Sequence, residues 1–357
     1  MLALNYAFMT KTPVGVLGAT GAVGQRFIQL LADHPWFEVA EVAASDRSAG
    51  KTYAEACTWR LAGTPPASVA RLTVTSIEGS FRSKLLFSGL DSSVAGEAEA
   101  ALSAKGHAVV SNSRNHRMDP DVPLLIPEIN PDHLDAVALQ KRRTGGGYIV
   151  TNPNCSVVGL AMALAPLDRA IGVQSVAVVT LQALSGAGYP GVASLDIADN
   201  VIPYIGGGEE EKIETEPQKI LGTFSGGAFT PASFPISCSV HRVAVVDGHS
   251  MAVFLRLARR PSPAEACRIL ADFHGEPQQR ELPTAPRQPI HVLAANDRPQ
   301  PRLDRDREGG MAVSVGRVRE DRQFDLKLEA LVHNTIRGAA GAAILNAELL
   351  QARGLLR

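Results

Sequence analysis

The residue in this chain best suited to chemistry is a cysteine set among polar groups. Cys155 lies in the segment NPNCS, where one apolar stretch ends and a second begins. If a helix begins near Cys155 or Ser156, its free N–H groups and dipole stabilise a thiolate, and also an oxyanion formed when that thiolate attacks a carbonyl. Asn154 or Ser156 can cap such a helix. A buried structural thiol is the alternative, because free cysteines are so often core residues.

A thiol nucleophile needs a base, and His249 is the best candidate. It follows Asp247-Gly248, which predicts the tight turn of a β-hairpin, so its ring can project into a cleft from the start of a strand. Arg242, at the head of the preceding predicted strand, can clamp a carboxylate with two hydrogen bonds. A solvated turn histidine is the alternative for His249. Other histidines compete on sequence grounds, namely His241, His274 and His291.

A glycine-rich turn near the N-terminus has the context of a dinucleotide-binding site. Gly18, Gly21 and Gly24 follow a short apolar strand at residues 14–17 and precede a helical pattern that ends at Pro35. Small residues let the backbone approach a pyrophosphate, and the helix N-terminus offers free N–H groups. The spacing is a variant of the G-x-G-x-x-G motif. A turn needed only for strand–helix packing is the alternative.

The end of the second predicted strand bears on which dinucleotide binds there. This end reads Ser45-Asp46-Arg47-Ser48. A lone carboxylate at this point would favour the ribose hydroxyls of NAD. Arg47 can neutralise a 2′-phosphate, however, and Ser45 and Ser48 can donate hydrogen bonds to it. The segment therefore favours NADP, with Asp46 as the one feature that suits NAD.

The elements that must position these residues predict an α/β fold with a Rossmann-type doubly wound parallel sheet. Strand, glycine turn, helix and strand form a βαβ unit over about the first 45 residues. Further strands are predicted at residues 70–75, 84–87 and 108–111, with a helix at 94–105. This alternation is typical of a doubly wound sheet.

After residue 154 the pattern of predicted helices and strands changes and indicates an α+β domain. A helix is predicted at 156–167, a long β-branched strand at 172–184, and a charged helix at 206–222 whose acidic run should be a solvated face. Two strands should pair as a hairpin around Asp247-Gly248. Residues 275–310 should be dominated by loops, and a helix lined with Gly and Ala should return near the C-terminus to the first domain.

Bulk properties narrow the classes of function. A length of 357 residues suggests two domains, and a net charge of -1 without a basic run gives no reason to expect nucleic acid or an anionic membrane as partner. The longest apolar segment, 156–167, is too short to span a bilayer. Four scattered cysteines show no zinc spacing, so no metal is expected. The N-terminus lacks the pattern of a signal peptide, and a cytoplasmic location is predicted.

Taken together, these segments resemble the aspartate-semialdehyde dehydrogenase family, most closely its archaeal and fungal branch. The resemblance covers nearly the whole chain and is carried by GATGAVGQ, SDRSAGK, SNSRNHRM, PEIN, NPNCS, LQALSGAGYPGV, GEEEKIETEPQKILG, HRVAVVDGH and NTIRGAAGAAILNAEL. It implies NADPH-dependent reductive dephosphorylation of L-aspartyl 4-phosphate through a Cys155 thioester, in the biosynthesis of lysine, threonine and methionine. A paralogue like malonyl-CoA reductase or N-acetylglutamyl-phosphate reductase, and a non-catalytic NADP-binding regulator, are the alternatives.

The resemblance also implies roles for individual residues. It makes Cys155 the nucleophile, His249 the acid/base and Gln182 the residue that orients the substrate. Arg242 would grip the substrate α-carboxylate and Glu209 its amino group, and a phosphate site would contain Lys212, Arg117 and Asn112. Glu209 is selected among three glutamates by its E-x-x-K spacing, and Arg114 competes with Arg117. The implied NADP(H) residues are Gly18, Thr20, Gly21, Ala22, Val23, Ser45, Arg47, Ser48, Ser88 and Asn334.

The implied organisation has two domains. Residues 1–150 and 335–357 would form the NADP-binding domain, and residues 151–334 would form an α+β catalytic and dimerisation domain. The expected partners are a small-molecule substrate and inorganic phosphate. The expected assembly is a homodimer or a homotetramer.

Overall fold

A parallel sheet holds the first part of the chain in the structure, a computed structural model that describes residues 10–356. Its strands are β1 (Thr12–Leu17), β2 (Phe37–Ala44), β3 (Val74–Ser76), β4 (Leu85–Ser88), β5 (Ala108–Ser111) and β6 (Tyr148–Thr151). The order is β3-β2-β1-β4-β5-β6, with every neighbouring pair parallel. The order reverses between β1 and β4, and ligands of such sheets bind at the carboxyl ends of the strands at that point. The doubly wound sheet is therefore confirmed.

Part of the N-terminal expectation lies outside the described residues. The absence of a signal pattern was inferred mainly from residues 1–9, and the outer limits of the predicted first domain also fall beyond residues 10–356. Within the sheet, the strand predicted at 70–75 is displaced. Ala67–Ala70 forms a helical turn, and β3 begins only at Val74.

Helices cover both sheets. They are α1 (Ala22–Leu31), α2 (Tyr53–Ala56), α3 (Ala67–Ala70), α4 (Ser92–Ala104), α5 (Val137–Thr144), α6 (Cys155–Ile171), α7 (Ser194–Ile197), α8 (Glu209–Ile220), α9 (Pro263–Ala271), α10 (Glu276–Gln279), α11 (Pro301–Asp304) and α12 (Gly341–Ala352). Short 3₁₀ turns lie at Pro131–Ala136, Leu184–Ala187 and Arg307–Gly310, and a π-turn lies at Ile336–Ala340. None of the helices in the described residues is long and apolar enough to cross a membrane.

The C-terminal helix α12 packs on the first sheet. Ile344, Leu345 and Leu349 are buried in the same apolar core as Val16 and Phe87 of the sheet. Burial of this many aliphatic groups is the main favourable contribution to such a contact. The small residues that precede the helix allow the backbone to approach its neighbours closely.

A mixed sheet holds the second part of the chain. Its strands are β7 (Val173–Gln182), β8 (Ile202–Pro203), β11 (Ile236–Arg242), β12 (His249–Leu257), β13 (Ile290–Leu293), β14 (Val313–Glu320) and β15 (Leu326–Val332), and a separate hairpin is formed by β9 (Thr223–Ser225) and β10 (Ala228–Thr230). The order is β13-β14-β15-β12-β7-β11-β8. One face of this sheet packs on α6, α8 and α9, whereas Val179 and Leu181 of β7 remain exposed on the other.

The predicted hairpin around Asp247-Gly248 is wrong. The strands β11 and β12 do not pair, because β7 lies between them, parallel to β11 and antiparallel to β12. Residues 243–248 instead cross the end of β7, where the N–H groups of Leu184 and Ser185 donate to the carbonyls of Val245 and Val246, at 2.7 and 3.1 Å. These bonds use the carbonyls of Val245 and Val246, which a hairpin turn would need. They also hold residues 243–248 so that His249 lies at the end of β7.

The stretch predicted to be loop-dominated contains only short elements. Between residues 275 and 310 the structure has α10, β13, α11 and a 3₁₀ turn, joined by loops. The strand β13 pairs in parallel with β14, so this stretch extends the second sheet by one strand that the composition did not indicate.

Candidate active site

The helix α6 begins at Cys155, which places the thiol in its first turn. Asn154 is the N-cap, and its side-chain oxygen accepts hydrogen bonds from the N–H groups of Ser156 and Val157, at 2.9 and 3.4 Å. Asn154 and not Ser156 is thus the cap, as one of the two predicted options. The helix continues to Ile171, past the predicted end at residue 167.

Cys155 packs closely against a glycine of the C-terminal segment. A Cβ atom added to Gly338 would lie 2.8 Å from Cβ of Cys155 and 3.0 Å from its Cα. Next to it, the carbonyl of Ala339 accepts a hydrogen bond from Asn152 Nδ2 at 2.9 Å. No side chain fits between this segment and the first turn of α6 without displacing backbone atoms.

The imidazole of His249 contacts the thiol. Its Nε2 lies 3.2 Å from Cys155 Sγ, and the ring is fully buried. The backbone N–H of Ala183 donates to Nδ1 at 3.0 Å, so the proton of the neutral ring resides on Nε2 and faces the sulfur. The competing histidines lie elsewhere: His274 is exposed, His291 faces Glu308, and His241 is half-buried on β11.

Burial keeps both members of this pair neutral. It raises the pKa of the Cys155 thiol to about 12, with Glu209 acting in the same direction and Arg117, Lys212 and Arg242 opposing it. Burial and the nearby Arg242 lower the pKa of His249 to about 3. The pair is therefore a neutral thiol and a neutral imidazole.

The carboxylate of Glu209 accepts hydrogen bonds from Asn154 and Gln182 and forms an ion pair with Lys212. Its Oε1 accepts from Asn154 Nδ2 at 2.7 Å and from Gln182 Nε2 at 3.2 Å, and Lys212 Nζ lies 2.5 Å from Oε2. Burial alone would raise the pKa of this carboxyl, but Lys212 and the two amides lower it below its ordinary value. The expectation that the acidic run is a solvated face is therefore wrong for Glu209 and Lys212, because their partners lie inside the molecule.

Arg242 lies beside Gln182, on the neighbouring strand of the sheet. Its Nη1 donates to the Ala183 carbonyl at 2.6 Å, and its side chain is mostly buried. A Cβ on Gly186 would lie 2.9 Å from both Arg242 Nη1 and His249 Cε1, so the loop after Gln182 packs directly on these two groups. Arg242 is also close enough to Cys155 and Glu209 for their charges to affect the pKa of its guanidinium.

Arg117 and Arg114 have different surroundings. Arg117 is buried, and it donates from Nη1 to Glu216 Oε1 and from Nη2 to the Asn112 carbonyl, both at 2.8 Å. Arg114 is exposed and donates to the Gly207 carbonyl at 2.9 Å. Of these two arginines, Arg117 and not Arg114 is among the cations that lower the pKa of the Cys155 thiol. The Asn112 side chain accepts from Asn152 Nδ2 at 2.8 Å, which places it next to the segment leading to the nucleophile.

Glu216 and Lys219 were missed by the sequence analysis. Glu216 Oε2 accepts the backbone N–H of Asn154 at 2.6 Å, and Lys219 Nζ donates to three carbonyls of the Arg117 turn. The signal was present in the spacing: residues 209, 212, 216 and 219 lie on one face of a helix.

The predicted dinucleotide loop lies at the carboxyl end of β1. Gly18 has φ +70°, and a Cβ there would lie 2.7 Å from the Gly89 carbonyl oxygen; a Cβ on Gly24 would lie 2.2 Å from the Gly18 oxygen. Gly21 precedes α1 without a side-chain cap, and Gly21 and Ala22 are exposed, whereas Thr20 and Val23 are half-buried. The first N–H groups of α1 are therefore open to an anion.

The remaining predicted cofactor residues divide into two groups. Ser45 and Arg47 are exposed in the turn after β2, where the Ser48 N–H donates to the Ser45 carbonyl and Asp46 accepts from Ser76. Ser88 is fully buried at the end of β4, directly opposite Leu17 of β1. Asn334 is also buried, accepting the Gly248 N–H and donating to Ser185 Oγ, both at 2.8 Å, and so it ties together the two loops that flank His249.

Comparisons with known proteins assign the class. The family model "Semialdehyde dehydrogenase, NAD binding domain" matches residues 13–137, and the model "Semialdehyde dehydrogenase, dimerisation domain" matches residues 164–337. Together these matches cover most of the chain, including the dinucleotide loop and the strands that carry Gln182, Arg242 and His249. The doubly wound sheet and the second sheet thus correspond to the two domains of a semialdehyde dehydrogenase, and Cys155 lies on α6, between the two matched ranges.

Individual relatives specify the family further. The aspartate-semialdehyde dehydrogenase of Methanothermobacter thermautotrophicus is 51% identical over 342 residues, covering 94% of this chain and 98% of that protein. The enzyme of the same name from Schizosaccharomyces pombe is 47% identical, covering 98% of this chain and 100% of that protein. A Candida albicans crystal structure of aspartate-semialdehyde dehydrogenase with NADP superposes with a TM-score of 0.89 at 44% identity, covering 97% and 100%. The chain belongs to the aspartate-semialdehyde dehydrogenase family.

Proposed function

We propose that this enzyme reduces L-aspartyl 4-phosphate to L-aspartate 4-semialdehyde and inorganic phosphate with NADPH, in the biosynthesis of lysine, threonine and methionine. The contact of Cys155 Sγ with His249 Nε2 at 3.2 Å, at the N-terminus of a helix, is the observation that carries this proposal. Relatives of the same name at 45–51% identity support it over the paralogues that act on malonyl-CoA or N-acetylglutamyl phosphate. The intact cysteine–histidine contact argues against a regulator without activity.

The residues of the first sheet fit NADP(H). A Cβ at Gly18 or Gly24 would fill the space beneath the turn, and the uncapped start of α1 offers N–H groups to a pyrophosphate. We propose that Gly18, Thr20, Gly21, Ala22 and Val23 hold the pyrophosphate, with Ser45, Arg47 and Ser48 at the 2′-phosphate. Ser88 would support this edge from below, and Asn334 would hold the loops at the nicotinamide end. When bound, NADPH supplies the hydride that reduces the thioester.

Replacing Arg47 by alanine is expected to change cofactor preference. Loss of the guanidinium removes a charge-assisted contact with the 2′-phosphate, so KM for NADPH should rise roughly tenfold while KM for NADH stays nearly constant. Steady-state kinetics with both cofactors measures this. The matched control is Arg268→Ala, which removes an exposed arginine of α9. A parallel increase in both KM values would contradict the assignment of Arg47.

The first chemical step belongs to Cys155. The sulfur attacks the acyl carbon, the C–S bond forms, and the C–O bond to phosphate breaks, so a thioester remains and phosphate leaves with the proton of the thiol. The free N–H groups of the first turn of α6 stabilise the oxyanion on the way. Arg117, Lys212 and Arg242 lower the pKa of the thiol, which favours the attacking thiolate. Negative charge on the leaving phosphate is stabilised by Arg117 and Lys212, next to Asn112.

His249 would serve the second step. After reduction, the C–S bond of the thiohemiacetal breaks, and the charged ring of His249 gives its Nε2 proton to the departing sulfur, which leaves a neutral ring protonated on Nδ1. In reverse, Nε2 of that neutral tautomer accepts the thiol proton as the sulfur attacks the aldehyde. Burial and the nearby Arg242 keep the ring neutral, and protonation of Nδ1 would in addition break the hydrogen bond from the Ala183 N–H. The negative charge of a bound acyl phosphate raises the pKa of the ring and makes its charged form accessible.

Charge complementarity supports the proposed substrate. Arg242 would bind the α-carboxylate of the aspartyl group and Glu209 its ammonium, with Gln182 orienting the acyl group between them. These three side chains are buried or nearly so and lie on adjacent elements around Cys155. Buried charges of opposite sign recognise a zwitterion well, because each desolvated group of the substrate meets a partner.

We propose that two copies associate through the second sheet. The exposed Val179 and Leu181 lie on its uncovered face, within the region matched by the dimerisation-domain model. The proposed division places residues 1–150 and 335–357 in the cofactor domain and 151–334 in the catalytic domain, and the packing of α12 on the first sheet supports it. The cytoplasm is the proposed location, since the four cysteines are unpaired in the described residues.

One assay discriminates among the proposed function and its alternatives. Purified protein is mixed with L-aspartate semialdehyde, inorganic phosphate and NADP⁺, and NADPH absorbance is followed. Absorbance is expected to rise only when phosphate is present. Dependence on coenzyme A in place of phosphate would identify a malonyl-CoA reductase-like enzyme, and turnover only of N-acetylglutamate semialdehyde would identify the other paralogue. NADP⁺ binding without any turnover would identify a regulator.

A further inference from the structure

One face of α8 carries four charged side chains that reach the surroundings of Cys155. They are spaced i, i+3, i+7 and i+10, which aligns them along one side of the helix: Glu209, Lys212, Glu216 and Lys219. The first two form the ion pair at the proposed substrate site. The other two lie deeper, and neither has a role in the mechanism above.

Glu216 uses its two oxygens for two different parts of the site. Its Oε1 accepts from Arg117 Nη1 at 2.8 Å, and its Oε2 accepts from the backbone N–H of Asn154 at 2.6 Å. The side chain is only 2% exposed, so water does not compete for these bonds. A single rigid carboxylate therefore connects the guanidinium of Arg117 to the residue that immediately precedes the nucleophile.

Lys219 fixes the same arginine through its backbone. Its Nζ donates to the carbonyls of Arg117, Asp119 and Val122 at 2.8 to 2.9 Å. Burial lowers the pKa of Lys219 to about 8, so most of the ammonium remains protonated at pH 7. The turn that carries Arg117 is thus held at both its side chain and its main chain by α8.

We infer that Glu216 is a positioning residue that aligns Arg117 for phosphate and couples phosphate binding to the N-terminus of α6. This inference rests on the proposed function. Arg117 has the largest effect among the cations that lower the pKa of the Cys155 thiol, so its placement bears on the nucleophile as well as on phosphate. Without the carboxylate, the guanidinium keeps the Asn112 carbonyl but loses its charged partner, and the Asn154 N–H loses its acceptor.

The test uses Glu216→Gln in the full-length enzyme. The amide keeps one acceptor and presents its NH₂ group to the second donor, so either Arg117 or the Asn154 N–H is left unpaired. KM for inorganic phosphate is expected to rise roughly 10- to 100-fold with a lower kcat, while KM for the semialdehyde and for NADP⁺ changes less than about twofold. The control is Glu214→Gln on the same helix, whose carboxylate accepts only the Cys238 N–H.

A second readout does not depend on turnover. Inorganic phosphate should slow the alkylation of Cys155 by iodoacetamide in the native enzyme, and this protection should need higher phosphate concentrations in Glu216→Gln. If that variant does not fold, Glu216→Asp retains the charge but is too short to reach both partners, and it should behave alike.

Two results would overturn the inference. One is an unchanged phosphate dependence of both turnover and alkylation in a folded variant, and the other is an equal rise of all three KM values. If the native enzyme shows no phosphate-dependent formation of NADPH, the proposed function fails, and phosphate protection of Cys155 still decides the role of Glu216 on its own.

Discussion

Replacing Cys155 by alanine is expected to lower turnover on the order of 10⁴-fold or more, with cofactor binding unchanged. The sulfur is the only group proposed to form a covalent bond with the substrate, and the first turn of α6 and His249 are arranged around it. Without it, the hydride would have to be accepted by an acyl phosphate that is neither activated nor held as a thioester. The phosphate-dependent NADPH assay measures the loss.

Cofactor binding and a matched cysteine complete the Cys155 experiment. Fluorescence titration should give the same Kd for NADPH in the alanine variant, because Cys155 lies on α6 and not in the loop of the first sheet. Cys267→Ala removes a half-buried thiol of α9 and should retain full activity. Appreciable phosphate-dependent activity in the Cys155 variant would mean that the nucleophile has been misassigned.

Replacing His249 by asparagine is expected to reduce kcat about 10²- to 10⁴-fold, the usual contribution of a general acid–base group. Asparagine can still donate a hydrogen bond to the sulfur, but it cannot exchange a proton with it. KM for NADP⁺ should change little. The control, His274→Asn, alters an exposed ring outside the cluster and should leave the rate intact. An effect confined to cofactor affinity would assign His249 to binding.

The same variant should alter the pH dependence of stability. The pKa of His249 falls to about 3 in the fold, from an ordinary value of 6.5, so the unfolded state binds the proton more readily. Above pH 6.5 both states hold the neutral ring and His249 adds no pH dependence, whereas below pH 6.5 the unfolded state binds a proton that the folded state excludes, so the folded state loses stability as the pH falls. Urea unfolding between pH 7 and 5 should lose less stability in His249→Asn than in the native enzyme.

The sequence predicted features that depend only on neighbouring residues, such as the glycine turn before α1 and the cap of α6. The glycine turn between β1 and α1 could be recognised because a strand, small residues and a helix follow one another directly. A cap at Asn154 or Ser156 could be predicted because a polar side chain before an apolar run satisfies free N–H groups, although the choice between the two needed the structure. Both features involve only a few neighbouring residues.

Contacts between distant segments account for what the sequence did not predict. Asp247-Gly248 has the composition of a hairpin turn, but pairing is decided by β7, which enters between β11 and β12. The acidic run at the start of α8 has the composition of a solvated face, but Glu209 contacts Asn154, 55 positions away. Further along the same helix, Glu216 contacts Arg117, 99 positions away. Cys155, His249 and Arg242 were candidates from their residue types and positions, whereas roles such as those of Gln182 and Glu209 came from the family resemblance. All of these roles remain predictions.

Because Gly338 packs closely against Cys155, the site around Cys155 can be completed only late in the synthesis of the chain. The first sheet and α6 leave the ribosome well before Gly338 does, and domains fold as units during synthesis. A nascent chain can therefore hold its thiol and the acidic helix while the surface behind the thiol is still missing. The packing around Cys155 is therefore complete only after the segment around Gly338 has been translated and has docked.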